Sequence, residues 1–310
     1  MTEPRENAFG PALNIGYLLS NPAPAPDFVL PGLVSGSVGM LSGPGGIGKT
    51  MLELQLSVSL AAGLSHHDGL LGHDWGANLP DTPQRVVLVA AEEPLDVIWR
   101  RIHAIVHSLN LRNTLPSDLS WDEFLVRLKA NLHIHALGGA KRVSLIDEYM
   151  APTAAVTDLL EITEGARLVI VDPLRQVHLQ DENHSNAMSA VVSVFKQVAR
   201  KTNAAVLFAH HHSRAASTHG FGDSADASRG STALTDDARW QLNVTHPSKD
   251  LLNQFEVESG GVHDFVSLHN AKSNYEARST PVLLRRTASG VLIPVERKAS
   301  LTTKPARSKP

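Results

Sequence analysis

Gly43-Pro44-Gly45-Gly46-Ile47-Gly48-Lys49-Thr50 fits the pattern G-x-x-x-x-G-K-[ST] at every fixed position. Glycines in such a loop let successive backbone N–H groups turn inward and cradle phosphates. Lys49 then reaches the β- and γ-phosphates, and the Thr50 hydroxyl holds Mg²⁺. Both flanks supply the context the pattern needs. Upstream, Ser37–Leu41 reads as a short buried strand; downstream, Leu52, Leu56 and Leu60 recur at helical spacing up to Gly63. The phosphates would therefore sit on a helix N-terminus. A glycine-rich turn matching by chance is the bland alternative, and the strand and helix argue against it. The expected nucleotide-binding set is Gly43, Gly45, Gly46, Ile47, Gly48, Lys49, Thr50 and Met51, for a nucleoside triphosphate with Mg²⁺.

Working outward, 310 residues suit one large domain with appendages, at about 100–200 residues per domain. With no cysteine, disulfides, thiolate catalysis and Cys-based zinc sites are excluded, and a reducing cytosol is the expected setting. No apolar run approaches the roughly 18 residues that span a bilayer, and no signal-peptide pattern opens the chain, so a cytoplasmic protein without a membrane partner is expected. A net charge of −3 offers no global attraction to nucleic acid, so any such binding must rest on local basic loops.

Residues 1–36 read as an arm: a short helix near Leu13–Leu19, then the stiff linker Asn21–Pro26. It would pack on its own core or reach a neighbouring subunit. The ATPase-type domain is expected over residues 37–296, with a basic tail from 297 to 310. After the phosphate-loop helix, His66–Pro83 is loop-like. Arg85–Ala91 and Leu168–Val171 are apolar runs of the kind found in central parallel strands, and Ala204–Ala209 is another. Helical patterns lie at Leu95–Leu109, Trp121–Ala130, Thr153–Thr163 and Ala187–Lys201, with a strand at Asn131–Leu137. Ser213–Ser231 is a long polar loop without apolar periodicity. Beyond it Ala238–Thr245, Asp264–Ala271 and Val282–Val295 follow as strands in succession. This order predicts an α/β core with an antiparallel extension.

In open α/β sheets the ligand lies beyond the carboxyl ends of the strands. Four predicted strands deliver polar groups there: Lys49 and Thr50, Glu92 and Glu93, Asp172, and His210 and His211. Asp172 after four apolar residues suits a Walker B acid holding Mg²⁺. Glu92 suits a base that positions the attacking water, with Glu93 adjacent and the alternative. Neighbouring strand side chains alternate in direction, so the histidines cannot all face one metal ion. Either His210 or His211 would hydrogen-bond the γ-phosphate, or pack as a core histidine. Asn131–His135 reads as structural alternation.

Several further stretches stand out in order along the chain: Asp27–Gly39, Ala91–Pro94, Val171–Arg175, Phe208–Ser213, Ala227–Ser231, Asp237–Gln241 and Ala271–Tyr275. Together with the phosphate loop they resemble the hexameric RepA-type replicative helicases of IncQ-type plasmids, from about Leu13 to Val295. The resemblance implies a RecA-like core of the DnaB superfamily, an α/β P-loop NTPase with a mainly parallel sheet flanked by helices and antiparallel C-terminal strands. It implies a homohexameric ring with ATP sites between subunits, acting on single-stranded DNA alongside other replication proteins. Carried over by position, Glu92 is the base, Asp172 the Walker B acid and metal ligand, and His211 the γ-phosphate sensor. Arg239 is the finger entering the neighbour's site, with Arg229 and Lys272 as supporting cations. From the residues alone Arg239 would be an ordinary surface or strand arginine. The resemblance also implies two DNA-holding loops, Arg175–Asn186 and His212–Arg229. Asp181 and Glu182 make the first unusually acidic, and Glu276 stands near a point where the family tends to have glycine. Two rival readings keep the ATP site without unwinding: a recombination or accessory ATPase, and a nucleotide-gated regulatory DNA-binding protein.

Overall fold

A computed structural model describes residues 10–64, 82–138, 142–211, 232–257, 259–275 and 280–298. The chain enters through helix α1 (Ile15–Ser20) and an exposed proline-rich stretch, then turns through a hairpin, β1 (Phe28–Leu30) and β2 (Leu33–Val34). Strand β3 (Val38–Gly43) runs into the phosphate loop and helix α2 (Lys49–Ala62). There follow β4 (Val86–Ala90), α3 (Leu95–Arg112), α4 (Trp121–Asn131) and β5 (Leu132–Ala136). Then come α5 (Ala155–Ile162), β6 (Leu168–Asp172), α6 (Ser185–Thr202) and β7 (Ala205–His211). A short helix, Thr232–Asp237, precedes β8 (Trp240–Thr245), β9 (Phe265–Ser273), β10 (Val282–Arg286) and β11 (Leu292–Pro294). The loops expected at His66–Pro83 and Ser213–Ser231 lie largely or wholly outside the described residues, as do Arg229, Glu276 and the tail beyond 298.

One nine-stranded sheet carries the domain, in the order β11-β10-β9-β8-β3-β7-β6-β4-β5. The six strands from β8 to β5 are parallel, and β9, β10 and β11 continue it in antiparallel fashion. The expected architecture is thus present, with one adjustment. Ala238–Thr245, grouped by sequence with the antiparallel extension, pairs parallel to β3, Trp240 opposite Gly39. A parallel neighbour needs a crossover of a dozen or more residues, and the stretch between β7 and β8 is long enough to supply it.

The central parallel strands β4, β6 and β7 are covered on both faces, which is why their sequences carry apolar runs. Leu41, Leu88, Ile170 and Leu207 pack on one side with α2, α3 and α4. Met40, Val87, Val169 and Phe208 pack on the other with α5 and α6. This alternation also sets which polar residue at a strand end faces the phosphate loop.

The β1–β2 hairpin packs against the core. Residues 28–34, assigned by sequence to the arm, belong to the core: Val29, Leu30 and Leu33 are fully buried in the cluster around α2. Trp240 donates from its indole N–H to the Pro31 carbonyl at 2.9 Å, clamping the hairpin to β8. Gly39 makes room for that ring, since a Cβ there would lie 2.9 Å from it. The signal was hidden because a three-residue strand and a two-residue strand are too short to show periodicity.

Candidate nucleotide-binding site

The loop from Gly43 to Gly48 turns sharply between β3 and α2, and geometry favours glycine at Gly43, Gly46 and Gly48. Gly48 sits at φ +108°, in the left-handed region, and a Cβ on Gly43 would lie 2.5 Å from the Val244 carbonyl oxygen. Ile47 points back into the core and anchors the loop from below. The loop opens into a cavity of about 440 Å³, lined by Gly45, Gly46, Gly48, Lys49, Thr50 and Met51. Facing them are Glu92, Glu93, Arg101, Asp172 and His211, with Arg286, Ser289 and Gly290 also on the wall. The strands concerned, β3, β7, β6 and β4, are consecutive neighbours in the sheet. The convergence expected from four strand ends is therefore present in space.

Lys49 is almost buried, and its ammonium donates to the Gly43 carbonyl at 2.8 Å and the Pro44 carbonyl at 3.1 Å. It also meets His211 Nδ1 at 3.1 Å. Burial lowers the Lys49 pKa, against the opposing pull of Asp172, Glu53 and Glu92. Burial, followed by the Lys49 charge, lowers that of His211. A neutral imidazole that accepts at Nδ1 carries its proton on Nε2, which leaves one donor for a ligand oxygen. Thr50 donates its hydroxyl to Asp172 Oδ2 at 2.6 Å. These two hard oxygen groups fit Mg²⁺, which takes one or two protein oxygens and completes its shell with phosphate and water. Among the described residues no group of three or more His, Cys, Asp or Glu could hold a metal ion.

The structure separates two pairs that adjacency in sequence left open. Glu93 is held by Arg101 at 2.6 Å, whereas Glu92 is exposed at the cavity wall and makes no hydrogen bond or ion pair among the described residues. His211 lies on the α2 face of β7, beside Lys49; His210 faces the other way and is buried. His210 lies 3.7 Å from Glu182, whose other oxygen is 3.8 Å from the buried His178. The neighbouring His210 holds the Glu182 carboxyl below the usual range. Glu182 is thus turned inward, and of the two acids in this loop Asp181 remains exposed.

Arg239 and Lys272 lie elsewhere. Arg239 is exposed at the start of β8, and its N–H donates to the Val38 carbonyl at the opposite end of β3 from the phosphate loop. Lys272, whose neighbour across the strands is Gln241, donates to the Thr235 and Asp236 carbonyls at 2.6 and 3.2 Å. Neither lines the cavity.

Three residues of the site escaped the sequence reading. Arg101 sits two helical turns along α3, and Arg286 arrives from β10; neither has a local signature. Glu53 does have one, a lone acid among the apolar residues after Lys49-Thr50. It is fully buried, and neither carboxyl oxygen has a hydrogen-bond partner among the described residues. Burial, then the adjacent Asp172 charge, pushes its pKa well above 4.5. Between the unfolded value and the raised folded one, the folded protein keeps a proton that the unfolded chain releases. Its stability should fall as pH rises from near the unfolded value toward the raised folded one, by up to about 1.4 kcal/mol per pH unit. Glu53→Gln should remove that component. Denaturant melts at pH values stepped upward from the unfolded carboxyl value are expected to show the variant gaining on the wild type. Parallel pH profiles would refute the protonated assignment.

Solved structures share this fold. One solved ATPase domain aligns with a TM-score of 0.50 at 17% identity, over 84% of this chain and 85% of that one. A DnaB-like replicative helicase, described with its interactions with primase, aligns with a TM-score of 0.56 at 16% identity, over 84% of this chain. The alignment spans 57% of that helicase's length. At such identities the likeness concerns the fold, which is the RecA-like ATPase fold. The RadB recombinase aligns with a TM-score of 0.48 at 16% identity, over 83% of this chain and 90% of that one. The AAA domain model matches residues 4–217, a stretch that contains the phosphate loop and every strand end facing it, and the chain belongs to the AAA domain family.

Proposed function

We propose that the protein is the motor subunit of an ATP-driven DNA helicase, a homohexameric ring that moves along single-stranded DNA and opens the duplex in plasmid or mobile-element replication. The observation that carries this reading is the division of catalytic groups within one chain. Lys49, Thr50, Glu92, Asp172 and His211 share one cavity, while Arg239 stands five strand residues away, about 16 Å at about 3.3 Å per residue. An arginine side chain is shorter than that, so Arg239 can act as a finger in a second copy's site. Its neighbour Lys272 would support it there.

In that site the loop N–H groups and Lys49 bind the β- and γ-phosphates of ATP. Mg²⁺, held by Thr50 and Asp172, would supply neutralising charge to the phosphate oxygens. Glu92 orients the attacking water, and His211 contacts the γ-phosphate through its Nε2–H. Helix α1 supports assembly. It buries no residue against its own chain, and Leu13, Ile15, Tyr17, Leu18 and Leu19 on and beside it are each more than half exposed. We take the ATPase domain to begin at the β1–β2 hairpin, leaving α1 and its linker as an arm that reaches a neighbour. DNA contact falls to the Arg175–Asn186 loop and to the stretch containing Arg229. Glu182 turns toward His178 and His210, which leaves Asp181 as the exposed acid of that loop. Binding by one subunit is expected to be weak and salt-sensitive, and multiplied in the ring.

The decisive experiment measures ATP hydrolysis and forked-duplex unwinding with and without single-stranded DNA, alongside the mass of the particle. DNA-stimulated turnover with strand separation by a ring supports the helicase. The single Lys/Arg between 175 and 186 favours, as second reading, an accessory or nucleotide-gated DNA-binding ATPase. Turnover without strand separation would decide for it.

A further inference from the structure

The antiparallel extension does more than lengthen the sheet. Strand β10 ends at Arg286, opposite Leu292 of β11, and the turn between them, Thr287–Gly290, overhangs the start of α2. There a Cβ on Gly290 would come within 3.4 Å of the Met51 methyl. The hairpin is bolted to α2 at a second level. The buried Gln55 side chain donates to the Leu292 carbonyl and accepts from the Leu292 N–H, each at 2.8 Å. A buried amide satisfied in both directions fixes the register of hairpin against helix. That register delivers the Arg286 guanidinium to the phosphate loop. One Nη donates to the Ile47 carbonyl, and the other lies 3.4 Å from the Gly46 carbonyl. The packing leaves little slack, since a Cβ on Gly48 would lie 3.4 Å from Arg286 Nη2.

We infer that Arg286 is a positioning residue for the nucleotide: its two-pronged grip on the Gly46 and Ile47 carbonyls holds the phosphate loop in its binding shape before any phosphate arrives. In a planar trans peptide the C=O and the following N–H point in opposite directions. The Gly46 carbonyl shares its peptide with the Ile47 N–H, and the Ile47 carbonyl shares its peptide with the Gly48 N–H. A guanidinium at the cavity rim that fixes those oxygens therefore sets the direction of both N–H groups. It also polarises them, because a cation on a carbonyl oxygen draws electron density from the amide. The Ile47 N–H is otherwise engaged by a long contact, 3.4 Å to the Pro44 carbonyl. A glycine-rich loop loses much conformational entropy when it is ordered, and holding it ordered beforehand removes that cost from binding. Lysine cannot reproduce the fork, since its ammonium is a point charge.

The inference rests on the nucleotide site proposed above, and the test separates the two. Equilibrium binding of fluorescent ADP and ATP analogues with Mg²⁺, and steady-state ATP hydrolysis, are measured on the full chain, on Arg286→Ala and on Arg286→Lys. Losing a charged hydrogen-bond donor to the loop should weaken binding about 10- to 100-fold. ADP and ATP should suffer equally, because both place a β-phosphate in the loop. KM should rise while kcat is unchanged, the signature of lost ground-state binding. Guanidinium ion added at millimolar concentration should restore affinity to Arg286→Ala and leave the wild type unaffected, which a general loss of packing would not allow. Arg286→Lys, which keeps the charge if the alanine variant folds poorly, should bind with intermediate affinity. Wild-type affinity in Arg286→Lys, or a fall in kcat with KM unchanged, would overturn the inference. If the wild-type chain binds neither analogue, the nucleotide site itself is wrong and the role of Arg286 falls with it.

Discussion

Arg239→Ala is expected to reduce ATP turnover about 10³-fold or more, and to recover part of it when mixed with Lys49→Ala chains that are inactive on their own. The first half follows from chemistry. A guanidinium meeting charge that develops in the transition state contributes about 10³–10⁵ in rate, and it costs little binding when removed. The second half follows from position. Arg239 is exposed at the far end of the sheet from its own phosphate loop, absent from the cavity that Lys49 lines. In the proposed ring, an Arg239→Ala subunit would have an intact phosphate loop and would receive its arginine from a Lys49→Ala neighbour. Each such seam is complete. Were the arginine to serve its own chain, no seam in the mixture would be complete and the mixture would stay inactive. Turnover against mixing ratio is the measurement, and a flat baseline would sink the assignment in trans.

Glu92→Gln is expected to lower kcat by about 10²–10⁴ while nucleotide binding is retained, and Glu93→Gln is expected to be mild by comparison. The two acids are adjacent, but their surroundings differ. Glu93 is bound to Arg101, with both side chains 27% exposed, so breaking that pair should cost at most about 1 kcal/mol of stability. Glu92 is free to hold a water in the cavity. Removing its charge keeps the shape of the side chain and takes away the proposed base. Single-turnover hydrolysis with nucleotide bound to each variant decides the matter. A dead Glu93→Gln beside an active Glu92→Gln would exchange the roles.

Much of this could be read along the chain because it depends on neighbours a few positions apart. The loop glycines, the apolar spacing of α2 and the run Leu168–Val171 ending in an acid are local patterns, and each became the element expected. Strand alternation reaches further: it places Asp172 and His211 on the α2 face and turns His210 away, as period two requires. The β1–β2 hairpin was missed because its strands are too short to carry a period. The parallel setting of β8 was missed because the crossover before it reads as loop.

By itself, then, the sequence determined the phosphate loop, the alternation of strand and helix, and the order in which polar groups reach the strand ends. The tertiary structure alone decided which acid is unpaired at the cavity, that Glu182 turns inward between two histidines, that Arg239 faces away from its own site, and that Arg286 grips a loop some 240 residues earlier. The physical reason is separation. Local patterns follow from the geometry of one backbone segment, whereas these contacts depend on the register between strands and helices brought together from distant parts of the chain.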